Sequence, residues 1–345
     1  MRFLYLKQNT LWHVFKCVPE VGEGVAINME KQPLVILTGP TAVGKTSLSI
    51  RLAKQIGAEI ISADSMQVYK GMDIGTAKIK QEEMHGVKHY LIDVMNPDEE
   101  FNITIFKKMA CEAIDKIRAN GHIPLIVGGT GFYIQSVLYD IQFENEDKDT
   151  SYREELYDIA RREGAEYLHD MLRKIDEKSA DIIHYNNVKR VARAIEYYKQ
   201  TGKKISEHNE EQQKKESPYN YVYFVLNDDR KLLYDRINLR VDQMFDEGLV
   251  DEVKRLKESG IDRDATSMQA IGYKEVLDYL DGLCTLEQLK ENIKNNTRHF
   301  SKRQITWFKR EKDIEWLNLD EFGHDKEKLL SYMLQILIDK NIVAQ

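Results

Sequence analysis

The chain has 345 residues, of which 42% are hydrophobic and 31% charged, with only 6 prolines and 19 glycines. This composition is typical of a globular protein and excludes fibrous and disordered chains. A net charge of -7 argues against a protein that binds polyanions over its whole surface. No apolar run reaches the length of a membrane span, and the three cysteines lack zinc-binding spacing, so we expect a cytoplasmic protein.

The first 28 residues mix apolar and basic side chains and have no signal-peptide cleavage site. They carry no motif, and the first strand-like run, "PLVILT", starts only at Pro33. We therefore predict that residues 1–28 form an N-terminal extension dispensable for activity and that the folded core begins at residue 29.

Strand-like and helix-like segments alternate from Pro33 onward. The run "PLVILT" predicts a buried strand, followed by a helix over 47–56, a second strand over 58–64, a helix over 102–120 and a strand over 123–131. This alternation predicts a doubly wound α/β fold with a parallel sheet. Ligands bind at the carboxyl ends of the strands in such sheets, so the loops after these three strands should converge.

The composition changes after this first part of the core. Residues 142–218 are charged and helical in pattern and contain no strand-like run, which predicts an inserted helical domain. The run "YVYFVLN" then resumes the sheet. We thus divide the core into a first part over 29–141 and a second part over 219–345.

The segment "GPTAVGKT" fits the phosphate-loop pattern G-x-x-x-x-G-K-[ST] between a predicted strand and a predicted helix. Its glycines let backbone N–H groups face a phosphate, and the following helix adds its positive N-terminal end. The lysine supplies a point charge, and the final threonine can bind Mg²⁺. The predicted phosphate-binding residues are Gly39, Pro40, Thr41, Ala42, Val43, Gly44, Lys45 and Thr46.

The phosphate loop alone does not identify the molecule that carries the phosphates. A nucleotide hydrolase has a second strand that ends in an acidic Mg²⁺ ligand, whereas "PLIV" ends in Gly128 and Gly129. Asp93, after "HYLI", is another acidic candidate, but a long polar stretch separates it from the loop. Nucleotide hydrolysis is therefore disfavoured. Asp64 ends the second strand and should lie near Lys45.

Five motifs in order, "GPTAVGKT", "SADSMQVYKGMDIGTAK", "VGGTGFY", "AIGYKE" and "RHFSKRQITWF", resemble the motif series of bacterial tRNA dimethylallyltransferases, also called tRNA isopentenyltransferases. The likeness runs from about residue 31 to residue 310. In that family the phosphate loop holds dimethylallyl diphosphate, whose dimethylallyl group passes to the exocyclic amine of the adenosine 3′-adjacent to the anticodon.

The resemblance implies a set of roles for individual residues. Lys45, Thr46 and a Mg²⁺ ion would stabilise the departing diphosphate, and Asp64 would accept the proton of the amine. The family pattern also implies that the target base contacts Asp64, Ser65, Met66 and Gln67, and that Thr130 and Arg153 lie against the substrate.

Two clusters of basic residues predict contacts with the tRNA backbone. The first lies in the inserted segment and comprises Lys189, Arg190 and Arg193, where the resemblance implies tRNA or diphosphate contacts and the residues alone would also suit a solvated helix face; Lys189 stands where the family commonly has an arginine or glutamine. The second is a helix predicted over 294–310, with Arg298, Lys302 and Arg303 and no acidic residue. Its aromatic residues Trp307 and Phe308 are expected to face the core.

The expected partners are the tRNA anticodon stem-loop and dimethylallyl diphosphate, with no membrane and no obligate protein partner, so we expect a monomer. Three other functions remain open at this point. They are an isopentenyltransferase acting on free AMP or ADP, a phosphate-loop nucleotide kinase or NTPase, and a non-catalytic RNA-binding module. The insertion and the basic helix argue against the first, because a mononucleotide needs neither.

Overall fold

A computed structural model of the protein describes residues 31–143 and 151–344. The predicted extension, residues 1–28, lies outside the described residues. The chain divides into two compact units, of which the second spans Tyr139–Ser217 and the first comprises the chain before and after it. The insertion predicted over 142–218 corresponds to this second unit, which begins three residues earlier and ends one residue earlier than predicted. Within the described ranges, no helix is long and apolar enough to cross a lipid bilayer.

The first unit is built on a six-stranded, entirely parallel sheet with the strand order β3-β2-β4-β1-β5-β6. Neighbouring strands that are distant in sequence require helical crossovers, which is the doubly wound α/β arrangement predicted above. The strands are β1 (Gln32–Thr38), β2 (Ala58–Ala63), β3 (His89–Tyr90), β4 (Ile123–Gly128), β5 (Tyr219–Asn227) and β6 (Ile314–Asn318).

Eight α-helices are described in the first unit. Their bounds are α1 (Lys45–Ile56), α2 (Ile103–Ala119), α3 (Gly131–Leu138), α9 (Arg230–Asp246), α10 (Leu249–Glu258), α11 (Tyr273–Leu280), α12 (Leu286–Phe308) and α13 (Lys326–Asp339). Two of them, α1 and α2, correspond to the helices predicted over 47–56 and 102–120. The basic helix predicted over 294–310 is the second half of α12, which begins at Leu286.

The sheet is buried between helices on both faces. Val35 and Leu37 of β1 belong to an apolar cluster that includes side chains of α1 and α13. Leu34 and Ile36 alternate with them, are equally buried and face the opposite side, where α2 packs on β2 and β4. Each such side chain contributes about 1.5–3 kcal/mol through burial, so the central strands hold the loops at their carboxyl ends in fixed positions.

The second unit contains only helices among its described residues. An apolar cluster that includes Leu156, Leu168, Leu172 and Val191 forms its core. The buried Asp176 carboxylate accepts hydrogen bonds from the backbone and hydroxyl groups of two serines, which fixes α6 and α8 to each other. The helices are α4 (Ser151–Glu163), α5 (Ala165–Ile175), α6 (Glu177–Ile182), α7 (Val188–Thr201) and α8 (Ile205–Gln213).

Candidate active site

The phosphate loop connects β1 to α1 and is shaped by two glycines. Gly39 has a φ of 147°, and a Cβ at this position would lie 2.5 Å from the carbonyl oxygen of Leu226 in β5. Gly44 has a φ of 101° and forms the N-cap of α1. Both conformations favour glycine, and they let the loop curl tightly over the end of the sheet.

The N-terminus of α1 is not capped by a side chain, and its first turn contains no acidic residue. In contrast, Asn102 caps α2, Asp229 caps α9 and Asp325 caps α13 through side-chain oxygens. The first N–H groups of α1 therefore remain available to an anionic ligand, and the helix dipole favours such a ligand.

The Lys45 ammonium group folds back over the phosphate loop. Its Nζ donates to the carbonyl oxygens of Gly39 (2.9 Å) and Pro40 (2.8 Å). The pKa of Lys45 is lowered to about 7, mainly by burial and next by the positive charge of Arg240, while the carboxylate of Asp64 opposes the shift. Lys45 follows β1 and Asp64 follows β2, so both lie at the carboxyl edge of the parallel sheet, and Arg240 is near enough for its charge to act on Lys45.

Arg240 on α9 was not singled out in the sequence, where it is one of several basic residues in a charged helix. Within the described part of the chain its guanidinium has no hydrogen-bond or ion-pair partner, and burial lowers its pKa. A half-buried guanidinium without a partner beside a phosphate loop is suited to bind an anion with its five N–H donors.

Asp64 lies directly after β2 and uses one carboxylate oxygen in contacts with the described residues. Its Oδ1 accepts hydrogen bonds from the backbone N–H groups of Met66 (2.9 Å) and Gln67 (3.3 Å). No described residue donates to Oδ2. The aspartate thus stabilises the turn after β2 and still presents an acceptor, so a role in the turn and a role in proton transfer are compatible.

The glycine-rich turn after β4 lies next to Asp64. The backbone N–H of Thr130 donates to the carbonyl oxygen of Ala63 (3.2 Å), and Gly128 packs so closely on Ala63 that a Cβ would lie 2.3 Å from its oxygen. The predicted site residues Asp64 and Thr130 are therefore neighbours, together with Lys45.

The basic helix α12 contacts the phosphate loop with its inner face. The buried Gln304 accepts a hydrogen bond from the Thr41 N–H (2.9 Å) and donates one to the Gly129 carbonyl (3.0 Å). A Cβ on Gly129 would lie 2.2 Å from Gln304, and one on Gly131 would lie 2.2 Å from Trp307. One side chain thus links two loops of the site, and the Thr41 amide is already occupied.

The chain matches the family model described as IPP transferase over residues 67–311. A tRNA dimethylallyltransferase from Lachnoclostridium phytofermentans is 60% identical over 312 residues, which cover 90% of this chain and 99% of that protein. A second, from Acetivibrio thermocellus, is 49% identical, and the match covers 87% of this chain and 97% of that protein.

This chain belongs to the tRNA dimethylallyltransferase family.

Solved structures of the family have the same fold. The tRNA isopentenylpyrophosphate transferase of Bacillus halodurans is 46% identical with a TM-score of 0.68, and the match covers 90% of this chain and 98% of that chain. A eukaryotic dimethylallyltransferase, described as acting on tRNA, is 32% identical with a TM-score of 0.71 over 83% of this chain and 74% of that chain. The predicted fold class and the family resemblance are confirmed.

The residues of the second unit that were predicted to contact tRNA or substrate lie on α4 and α7. The Arg153 guanidinium forms an ion pair with the buried Glu196, with Nε and a terminal nitrogen at 3.0 and 2.9 Å from the same carboxylate oxygen. Arg193 also approaches Glu196, at 3.4 Å. Lys189 and Arg190 are exposed. Arg153 therefore has a structural partner within its own unit, and the exposed pair is the more accessible to RNA.

The four lysines and arginines of α12 from residue 294 onward fall into two groups. Arg298 donates to Asn238 of α9 (3.2 Å), and the Lys294 ammonium pairs with Asp242 of the same helix (2.7 Å). Lys302 and Arg303 are exposed. The first group ties α12 to α9, so the exposed pair carries the positive charge that the second half of this helix presents to solvent.

The candidate Mg²⁺ ligand Thr46 is exposed in the first turn of α1. Among the described residues, no group of three or more His, Cys, Asp or Glu could hold a metal ion. Asp93, the alternative acidic candidate, forms an ion pair with Lys78 (2.5 Å). The oxygen donors at the phosphate loop fit a Mg²⁺ ion that is held mostly by the phosphates of a ligand, which is a common arrangement.

Proposed function

We propose that this protein transfers the dimethylallyl group from dimethylallyl diphosphate to the exocyclic amine of the adenosine 3′-adjacent to the anticodon in tRNA, releasing diphosphate. The observation that carries this proposal is the open carboxylate oxygen of Asp64 beside Lys45 and the uncapped α1. A proton acceptor and an anion site lie together at one edge of the sheet. Bacterial relatives are named tRNA dimethylallyltransferases, which supports the transfer of a dimethylallyl group to tRNA.

The phosphate loop holds the leaving group in this proposal. During transfer, a C–N bond forms between the amine and the allylic carbon while the bond from that carbon to the diphosphate oxygen breaks. The departing diphosphate gains negative charge, which Lys45, Arg240 and the N–H groups of α1 stabilise. The Thr41 amide contributes to the shape of the loop through Gln304 instead of donating to the ligand.

Asp64 accepts the proton that the amine loses. An adenine amine is a weak nucleophile because its lone pair is delocalised into the ring, so a positioned base accelerates the reaction by about 10²–10⁴-fold. The two backbone N–H groups on Oδ1 hold the carboxylate in place and leave Oδ2 to receive the proton.

Mg²⁺ is the proposed cofactor, with the Thr46 hydroxyl as its protein ligand and the diphosphate oxygens completing most of its coordination. Bound there, the ion would neutralise charge on the leaving diphosphate. Binding of dimethylallyl diphosphate should therefore tighten with Mg²⁺ and respond to substitution of Thr46 by valine.

The proposed macromolecular partner is the anticodon stem-loop of tRNA, bound by a monomeric enzyme. The target adenosine must leave the base stack, because a stacked base hides its amine. Residues 64–67 and Thr130 are proposed to contact the extruded base. The exposed basic residues of α7 and α12, which are Lys189, Arg190, Lys302 and Arg303, are proposed to hold the phosphate backbone.

The test is a transfer assay with radiolabelled dimethylallyl diphosphate and three acceptors: unmodified tRNA, AMP and buffer alone. We expect label in tRNA only and no hydrolysis of ATP in a parallel assay. Label in AMP would favour an adenylate isopentenyltransferase, and tRNA-independent ATP hydrolysis would favour an NTPase. The matched control is the Asp339→Asn variant, because Asp339 is exposed at the end of α13, accepts a hydrogen bond from Gln335 of the same helix (2.8 Å) and has no role in the proposed reaction.

A further inference from the structure

A loop that follows Gln67 is held by a carboxylate from a distant helix. Residues 72–78, here called the 72–78 loop, present three consecutive backbone N–H groups to Glu252 of α10. Oε2 accepts from Asp73 (2.9 Å) and Ile74 (2.8 Å), and Oε1 accepts from Gly75 (3.1 Å). Glu252 is only 2% exposed, so it holds the loop from within the protein.

Tyr273 completes this arrangement from α11. Its hydroxyl donates to Glu252 Oε1 (2.6 Å), and a Cβ on Gly75 would lie 2.4 Å from its ring. Burial raises the pKa of Tyr273 above its ordinary value, with the charge of Glu252 as the next cause, so the phenol stays protonated and remains a donor. The buried carboxylate thus receives four hydrogen bonds, three of them from the 72–78 loop.

The far end of the 72–78 loop sets the orientation of Gln67. The Gln67 Nε2 donates to the carbonyl oxygens of Thr76 (3.2 Å) and Ala77 (3.4 Å). Because both partners are acceptors, the amide nitrogen faces the loop and Oε1 faces away from it, where the Ser62 hydroxyl donates to it (3.4 Å) and leaves its second lone pair for another donor. Gln67 therefore presents a hydrogen-bond acceptor on the segment that begins with Asp64.

We propose that Glu252 and Tyr273 are positioning residues for the transfer reaction, acting through the 72–78 loop to fix the carboxamide of Gln67 toward the target base. This inference rests on the proposed function, in which residues 64–67 contact that base. Neither residue touches the substrate. Their removal releases the loop amides, and with them the carbonyl groups that orient Gln67.

The test compares Glu252→Gln and Tyr273→Phe with Glu258→Gln, an exposed glutamate on the same helix. Glu252→Gln replaces an acceptor oxygen by a donor NH₂ against buried N–H groups, so kcat/KM for tRNA should fall about 10–100-fold. Tyr273→Phe removes one donor of four and keeps the ring, so the loss should be about 3–10-fold. The control should match wild type, and binding of dimethylallyl diphosphate should change less than twofold in all three.

A double-mutant cycle with Gln67→Ala separates positioning from a general loss of structure. If Glu252 acts through Gln67, adding Glu252→Gln to Gln67→Ala should cost little more than Gln67→Ala alone. Additive losses, an unchanged kcat/KM in Glu252→Gln, or an equal loss of dimethylallyl diphosphate binding would overturn the proposal. If Glu252→Gln does not fold, Tyr273→Phe and its cycle with Gln67→Ala decide the same question.

Hydrogen exchange tests the same contacts without any activity. The amides of Asp73, Ile74 and Gly75 should exchange faster in Glu252→Gln, while amides of α1 should keep their wild-type rates. Unchanged exchange at these three positions would also overturn the proposal. Wild-type protein that shows the protected amides but transfers no label to tRNA would refute the proposed function and leave the loop contacts standing.

Discussion

Binding of dimethylallyl diphosphate should take up a proton at Lys45. With a pKa of about 7, about half of the lysine is protonated at pH 7 and about a tenth at pH 8. The diphosphate favours the charged form and brings the pKa back toward its ordinary value in water, about 10.4. Binding should therefore take up about 0.5 proton at pH 7 and about 0.9 at pH 8, and affinity should fall nearly tenfold per pH unit above pH 8.

Isothermal titration calorimetry without tRNA measures this uptake, because the binding heat then depends on the ionisation enthalpy of the buffer. Above pH 7.5 a terminal phosphate with a last pKa of about 6 is already ionised and adds little uptake of its own. Lys45→Arg should abolish the effect, since a guanidinium stays charged. Arg240→Gln should reduce it, because the positive charge of Arg240 lowers the pKa of Lys45. Equal binding heats for the wild type at pH 8 in two buffers with different ionisation enthalpies would refute the reasoning.

The other predictions concern the base, the phosphate loop, the basic helix and the extension. Asp64→Asn should lower kcat by about 10²–10⁴-fold while tRNA affinity in a filter-binding assay is retained; a near-normal kcat would exclude a general base here. Gln304→Ala removes the partner of a partly buried N–H and of a partly buried carbonyl, so the free energy of unfolding in urea should fall by about 1–3 kcal/mol and dimethylallyl diphosphate should bind more weakly; unchanged values of both would show that the two loops hold their shape without it. Lys302→Glu/Arg303→Glu should weaken tRNA binding and make the slope of log K against log salt shallower by about 0.7–0.9 per lost contact, and an unaltered slope in a folded variant would move the RNA contact to α7. Deletion of residues 1–28 should leave activity unchanged and shift the melting temperature by less than about 2–4 °C; a larger fall would show that the extension stabilises the core.

The parts of the site that depend on local sequence could be predicted. The phosphate loop needs glycines and a lysine within eight consecutive residues, and Asp64 follows directly from a strand end, so both can be found without knowledge of the packing. The alternation of buried strands and helices likewise predicts the parallel sheet, because periodicity and strand length are local properties.

The residues that were missed act through contacts between distant parts of the chain. Gln304 reaches Thr41 across 263 positions, and Glu252 reaches Gly75 across 177. In the sequence, α12 is a cationic helix, and nothing local indicates that its inner face supports the phosphate loop. In the sequence Arg240 is one arginine among many. Only the structure shows that it is partly buried and has no partner among the described residues. The one signal in the sequence was Gly75, because a glycine can mark a place where a bulky neighbour approaches closely, as the Tyr273 ring does here.

The inner face of α12 tolerates substitution much less than its outer face does. On the inner side, Gly129 and Gly131 have no room for a side chain beside Gln304 and Trp307, so a substitution on either side of that contact displaces the phosphate loop and the turn beside Asp64 together. On the outer side, Lys302 and Arg303 have open surroundings and can be exchanged singly. On the outer face, which we propose to bind RNA, single substitutions can therefore change affinity by small steps, while the inner face and the phosphate loop that it contacts stay the same.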